Sequence, residues 1–114
     1  MEFLKRESFL SEARFAKAYA NDKLRFSGWG RYKIRMGLAA KRVCSDEISA
    51  AIDSLDEGEY KDILRKTASN KARGLNLRLR EDTAKLYRHL LSRGFESSLV
   101  MNAIREIRHN SDSA

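Results

Sequence analysis

Two stretches of this 114-residue sequence carry the same apolar pattern 52 positions apart. Under that shift Ile34 falls on Leu86, Leu38 on Leu90, Ala39 on Leu91 and Val43 on Phe95. Ile48 then falls on Val100, Ala51 on Ala103 and Ile52 on Ile104. Spacings of three and four residues mark one face of an α-helix. Each stretch therefore reads as a pair of amphipathic helices, and one helix pair has been used twice, at a repeat length in the solenoid range. Two unrelated helix pairs with equal loops would match in the same way; duplication is the reading adopted here. Stacked repeats touch mainly their neighbours, so the expected body is an elongated, curved helical repeat rather than a globule.

The chain has no proline and six glycines. That composition favours helices joined by short turns over a strand-rich fold. A chain this short buries only about two-thirds of its surface, so its core is thin.

Six helices are predicted. The first covers residues 11–24, with Ser11 as N-cap, Glu12 in the first turn, and Phe15, Ala16, Tyr19, Ala20 and Leu24 at helical spacing. Gly28-Trp29-Gly30 breaks it. The second covers residues 31–42, with Ile34, Leu38 and Ala39 inward. The third follows Ser45 over residues 46–55. The fourth covers residues 57–72 and stops at Gly74. Residues 75–80 alternate apolar and basic side chains, but a lone strand has no pairing partner, so they read as an extended loop. The fifth helix covers residues 82–93, ended by Gly94 in a left-handed conformation, and the sixth covers residues 97–108. The organisation expected is a remnant of a preceding module at 1–9, three-helix modules at 10–55 and 56–109, and a disordered tail at 110–114.

Charge is segregated. From Lys23 through Val43 there are seven basic residues and no acid; from Ser45 through Tyr60 there are six acids and no base; from Lys61 onward the chain turns basic again. With a net charge of +7, the chain is suited to a polyanionic partner. At about 100° per residue, Lys85, Arg88 and His89 lie opposite the face formed by Leu86, Tyr87, Leu90, Leu91 and Ala84. Lys33 points outward on the second helix. Arg35 falls in the apolar arc, where it is expected to bury its stem and pair with Asp22, Glu12 or Asp53. The candidates for a backbone-contacting strip are Arg31, Lys33, Arg73, Arg78, Arg80, Lys85 and Arg88. Trp29 is either a base-stacking aromatic or a ring packing the turn against the first helix; packing is favoured.

No catalytic constellation is evident. His89 and His109 lack the companions that metal binding or nucleophilic catalysis needs. The carboxylate pairs at helix starts are explained by the helix dipole. Cys44, the single cysteine, reads as a packed thiol in a reducing cytosol. The expectation is a cytoplasmic protein that is not an enzyme, with no cofactor, no metal, no small-molecule substrate and no membrane partner.

Three motifs in order carry a family resemblance. Leu10-Ser11-Glu12-Ala13-Arg14-Phe15-Ala16 resembles the opening signature of the RecX family. Gly28-Trp29-Gly30-Arg31-Tyr32-Lys33-Ile34-Arg35-Met36-Gly37-Leu38 resembles its central Gly-x-Gly-x-x-x-Ile-Arg-x-x-Leu motif. Lys85-Leu86-Tyr87-Arg88-His89-Leu90-Leu91-Ser92-Arg93-Gly94-Phe95 resembles its C-terminal Leu-Tyr-Arg-x-Leu-x-x-Arg-Gly-Phe motif. The resemblance makes Phe15, Trp29, Ile34, Arg35, Leu38, Leu86, Tyr87, Leu90, Gly94 and Phe95 structural motif positions. It implies tandem three-helix modules, of which this chain holds the last two of three. It further implies a regulator that restrains the RecA recombinase by docking in the groove of the RecA–DNA filament and touching the DNA backbone. Two positions depart from the family pattern: Arg42 stands where glycine is common, and Gly37 sits inside the second helix. Two other readings remain open: a direct DNA-binding helix-turn-helix protein, with the helix after Gly30 as recognition helix, and a helical-repeat adaptor that meets no nucleic acid.

Overall fold

The computed structural model describes the backbone of residues 2–113 and the side chains of residues 12–109. The segments 1–9 and 110–114, expected to be a module remnant and a disordered tail, lie outside the residues whose side chains are described. The elements are α1 (Glu2–Asp22), a π-helical turn (Lys23–Ser27), α2 (Arg31–Ala40), α3 (Ser45–Asp53), α4 (Glu57–Ala72), α5 (Arg80–Ser92) and α6 (Ser97–Ser113). No strand occurs among the described residues. Ser11 lies within α1 rather than at its start, so an acid after a serine was a misleading cap signal there. The cap expected at Ser45 is instead residue Cys44, and the thiol is exposed rather than packed. Asp56 caps α4 as its carboxylate accepts the Glu59 N–H at 2.9 Å, satisfying a donor that the first helical turn leaves unpaired.

Helices α1, α2 and α3 pack on one another, and α4, α5 and α6 do the same. The molecule is a rod, 62 × 23 × 20 Å, with a radius of gyration of 17.0 Å, against about 13 Å for a compact chain of this length. One apolar cluster nevertheless runs through both halves, from Ala16, Ala20 and Leu24 through Ile34, Leu38 and Tyr60 to Leu86, Leu90, Phe95 and Val100.

The duplication extends from side chains to the backbone. At the end of α5, Phe95 N–H donates to Leu90 O (3.3 Å) and Gly94 N–H to Leu91 O (2.9 Å); at the end of α2, Val43 N–H donates to Leu38 O (3.1 Å) and Arg42 N–H to Ala39 O (3.0 Å). Both are the same paired closing motif, which needs a left-handed residue after the helix. That residue is Gly94 (φ +94°) in one copy and Arg42 (φ +63°) in the other. The turn at Arg42 is thus kept despite the missing glycine, at the steric cost a Cβ imposes there. Arg42→Gly is expected to raise stability by about 1 kcal/mol, since glycine tolerates the conformation freely. Thermal unfolding would show this as a melting temperature several degrees higher; Arg42→Ala should give no such rise. The superposed pair Ala39 and Leu91 is exposed in both copies. Ala39, Leu91 and Ala84 therefore lie outside the buried faces assigned to them.

The two halves meet where the start of α2 abuts the end of α5. Gly30 N–H donates to Arg93 O (2.6 Å) and Tyr32 N–H to Gly94 O (3.0 Å). Unpaired donors of one helix start thereby satisfy unpaired carbonyls of another helix end. A Cβ on Gly30 would lie 2.3 Å from the Gly94 carbonyl carbon, and one on Gly94 would lie 2.3 Å from Lys33 N. Side chains lock the joint. Tyr60, fully buried, accepts the Arg31 backbone N–H at 3.0 Å and donates its hydroxyl to Glu96. The Arg31 guanidinium sits 4.1 Å above the Tyr60 ring and pairs with Glu96 (2.6 Å) and Glu57. Burial, then the bond to Glu96, pushes the Tyr60 phenol well above its ordinary range. Arg93 donates to Ser27 O at 3.0 Å and closes the far side. Under the 52-residue shift, Gly30 and Arg31 become Asp82 and Thr83, and Gly94 and Glu96 become Arg42 and Cys44. The joint's chemistry occurs once.

Candidate nucleic-acid interface

The predicted strip divides into three environments. Arg31 is built into the joint between the halves, with only 20% of its side chain exposed, and is withdrawn from any outer surface. Lys33 is half-buried, its ammonium 4.8 Å from the Trp29 ring centroid. Lys23 approaches the same ring to 4.7 Å. Trp29 itself packs edge-on against Tyr19 of α1, centroids 6.3 Å apart. It fills the turn, and its face is already occupied by cations. Phe15 touches Tyr19 (5.7 Å) but is 42% exposed.

Arg35 corrects the sequence reading. It is exposed and makes no ion pair among the described residues; Asp22, Glu12 and Asp53 are not its partners. The arginine that buries its stem and pairs with acids is Arg31, one turn earlier. A helical wheel ranks positions against the helix's own module, whereas Arg31 is enclosed by the following one. The same enclosure counts against the helix-turn-helix reading: Arg31, which a recognition helix would offer to a groove, is held by Tyr60, Glu57 and Glu96, although Tyr32 and Arg35 stay exposed. Gly37 also finds a reason, since a Cβ there would lie 2.2 Å from the Tyr19 hydroxyl.

The remaining strip residues lie in the second half. The segment 75–79 is a turn held by polar groups of its own and of the first turn of α5, which begins at Arg80. Asp82 accepts the Asn76 N–H (2.7 Å), Asn76 Oδ1 accepts the Arg78 N–H (3.1 Å), and the Thr83 hydroxyl donates to Leu77 O (3.1 Å) and Leu79 O (3.0 Å). This turn and α6 enclose a cleft of about 750 Å³ lined by Arg73, Arg78, Arg108, Leu75, Leu77 and Ile107. A second cleft of about 500 Å³ shares Leu77, Arg78 and Arg108 with it and adds Arg80, Tyr87 and Met101. Arg73, Arg78, Arg80 and Arg108 are exposed and unpaired among the described residues. Four guanidinium groups with fixed backbone behind them offer forked donors to phosphate or carboxylate oxygens. Lys85 and Arg88 lie on the exposed side of α5, Lys85 in a loose 3.9 Å pair with Asp82. Ile34, Leu38, Leu86, Leu90 and Phe95 are fully buried, Tyr87 is half-buried, and Gly94 carries the left-handed turn.

Sequence reasoning missed Arg108. It lies near the end of α6, and only the fold brings it beside Arg78, thirty positions earlier. No group of three His, Cys, Asp or Glu residues able to hold a metal occurs among the described residues. No helix there is long and apolar enough to cross a membrane.

His89 is held below its usual range by burial, then by Lys71 and Arg93. Its folded pKa lies below the unfolded value of 6.5, so protonation favours the unfolded chain. Stability is expected to fall as pH drops through 6.5 towards the lower folded value. In His89→Gln that part of the slope should vanish from urea midpoints measured across the same range; an unchanged slope would assign it to other groups.

Two packed three-helix units joined end to end, with arginines gathered along two adjoining clefts, define a tandem helical-repeat protein. The comparisons make the class specific. The family model for the second three-helix domain of RecX matches residues 11–52, and that for the third matches residues 59–104. This chain belongs to the RecX family. It is similar to the "Regulatory protein RecX" of Clostridium beijerinckii, 30% identical over 94% of this chain and 51% of that protein. The proteins of the same name from Clostridium botulinum (strain Eklund 17B) and Clostridium tetani are 32% and 30% identical, over 93% and 96% of this chain and 50% and 51% of theirs. The chain thus spans about half the length of these relatives, which are named as regulatory proteins rather than enzymes. No solved structure matches.

Proposed function

We propose that this chain restrains a RecA recombinase, in DNA repair, recombination and the SOS response of the cytoplasm, by lying in the groove of the RecA–DNA filament. The observation that carries the reading is the concentration of arginines unpaired among the described residues (Arg73, Arg78, Arg80 and Arg108) along two adjoining clefts of a 62 Å rod. A rod follows a polymer better than it encloses a small molecule, and phosphate oxygens are the partner that forked, sequence-blind donors fit best. Lys85 and Arg88 extend the positive edge along α5, so the rod can meet acidic protein and DNA backbone together.

The test is binding to three targets at several salt concentrations: RecA filaments on single-stranded DNA, bare DNA, and RecA without DNA. The reading predicts tightest, salt-sensitive binding to the filament. Equal, salt-insensitive binding to none or all of them would leave the adaptor reading in its place.

A further inference from the structure

A third basic groove lies away from the arginine cleft, on the joint between the two halves. Its floor is one face of α4, where Ile63, Lys66, Thr67, Asn70 and Lys71 recur at helical spacing. One wall is His89 and Arg93 of α5. The other is the π-helical turn with Arg25, Phe26, Ser27 and Gly28. The groove holds about 480 Å³, room for a nucleotide-sized ligand. No acid lines it. Arg25 is engaged by Glu59 at 2.5 Å and Arg93 by Ser27 O, but Lys66 and Lys71 are exposed and make no ion pair among the described residues. Burial, and after it the charges of Lys71 and Arg93, hold the His89 imidazole below its usual range.

Phe26 is the anomaly. It is 83% exposed, the most exposed of the large apolar side chains among the described residues. A continued α-helix would carry the chain past this point in register with α1. The π turn inserts an extra residue, and Gly28 (φ +66°) ends it. Leu24 stays buried while Phe26, two residues on, faces water at the groove's rim. An isolated exposed phenyl beside two free lysines and amide and hydroxyl groups has the composition of a base-stacking platform over a phosphate track.

We infer that this groove binds one nucleotide of single-stranded DNA, its base stacked on Phe26 and its phosphates on Lys66 and Lys71. Phe26 is the sequence-tolerant contact, because every base has a π-face. Thr67 and Asn70 supply neutral donors between them. The inference deepens the RecA–DNA reading, yet it stands on a different groove and is read with naked DNA, so either can fail alone.

The experiment uses the whole chain and three labelled probes in fluorescence anisotropy: oligo(dT), an abasic oligonucleotide of equal length, and a duplex. Phe26→Ala should weaken oligo(dT) binding about tenfold, the loss of one base–aromatic stack, and leave the abasic probe unchanged. Phe26→Tyr should restore the wild-type value. Lys66→Ala with Lys71→Ala should weaken both single-stranded probes and lower the salt slope by about 1.4. Phe26 is exposed and the lysines are unpaired, so circular dichroism should show each variant folded. Equal binding of oligo(dT) to wild type and Phe26→Ala overturns the inference. So does a duplex that binds as well as oligo(dT), or an acidic peptide that competes with it equally.

Discussion

Replacing Gly30 with alanine is expected to destabilise the chain by about 3 kcal/mol and lower its melting temperature by roughly 10 °C. The backbone at Gly30 is extended (φ −82°, ψ 175°) and suits any residue, so the effect comes from space alone. The new Cβ would meet Gly94 C and Phe95 N at 2.3 Å and Gly94 O at 2.5 Å. These are backbone atoms that no rotamer change can clear. The two halves must part, and three hydrogen bonds part with them: Gly30 to Arg93, Tyr32 to Gly94 and Arg31 to Tyr60. Each contributes about 1 kcal/mol, and the buried Tyr60 hydroxyl loses a partner. Calorimetry should show a broadened or divided transition as the halves uncouple. Gly74→Ala is the control, because nothing lies within 4 Å of its would-be Cβ; it should melt like the wild type. A Gly30→Ala protein melting within 2 °C of wild type, roughly the effect of half a kcal/mol, would mean the joint is not the close contact described.

The second large effect concerns the arginine cleft. Arg73→Glu, Arg78→Glu and Arg80→Glu together are expected to weaken filament binding at least a hundredfold. In single-strand contacts each lost phosphate pair removes about 0.7 from the log–log salt slope, so the slope should fall by about 2. The guanidinium groups are exposed and unpaired, and the turn is held through backbone N–H groups and the side chains of Asn76, Asp82 and Thr83. Folding should therefore be intact, as unchanged helicity would confirm. A triple variant with wild-type affinity and slope would place the filament contact elsewhere, with Lys85 and Arg88 as the next positions to reverse.

What the sequence made legible follows from the range of each interaction. The duplicated helix pairs were readable because Ile34, Leu38, Leu86 and Leu90 obey a local period, and Gly94 because a helix end states its own geometry. The joint was not. Arg31 meets Tyr60 across 29 positions and Glu96 across 65, and Tyr60 meets Glu96 across 36. No periodicity spans those distances. Arg35 was read as the structural arginine because the wheel of α2 points it inward, but that wheel carries no knowledge of the neighbouring module. Arg73, Arg78 and Arg80 were found by local charge, whereas Arg108 joins them only once α6 folds back. The π-helical turn left no composition signal at all, and the exposure of Phe26 at the groove's rim is seen only in the structure.

The rate of ATP hydrolysis by RecA on single-stranded DNA, with this chain added in increasing amounts, bears most directly on the central reading. A progressive fall with wild-type chain, and none with the Arg73, Arg78 and Arg80 reversal, is the predicted result. An unaltered rate, with the folded chain present in excess of the filament, would contradict it.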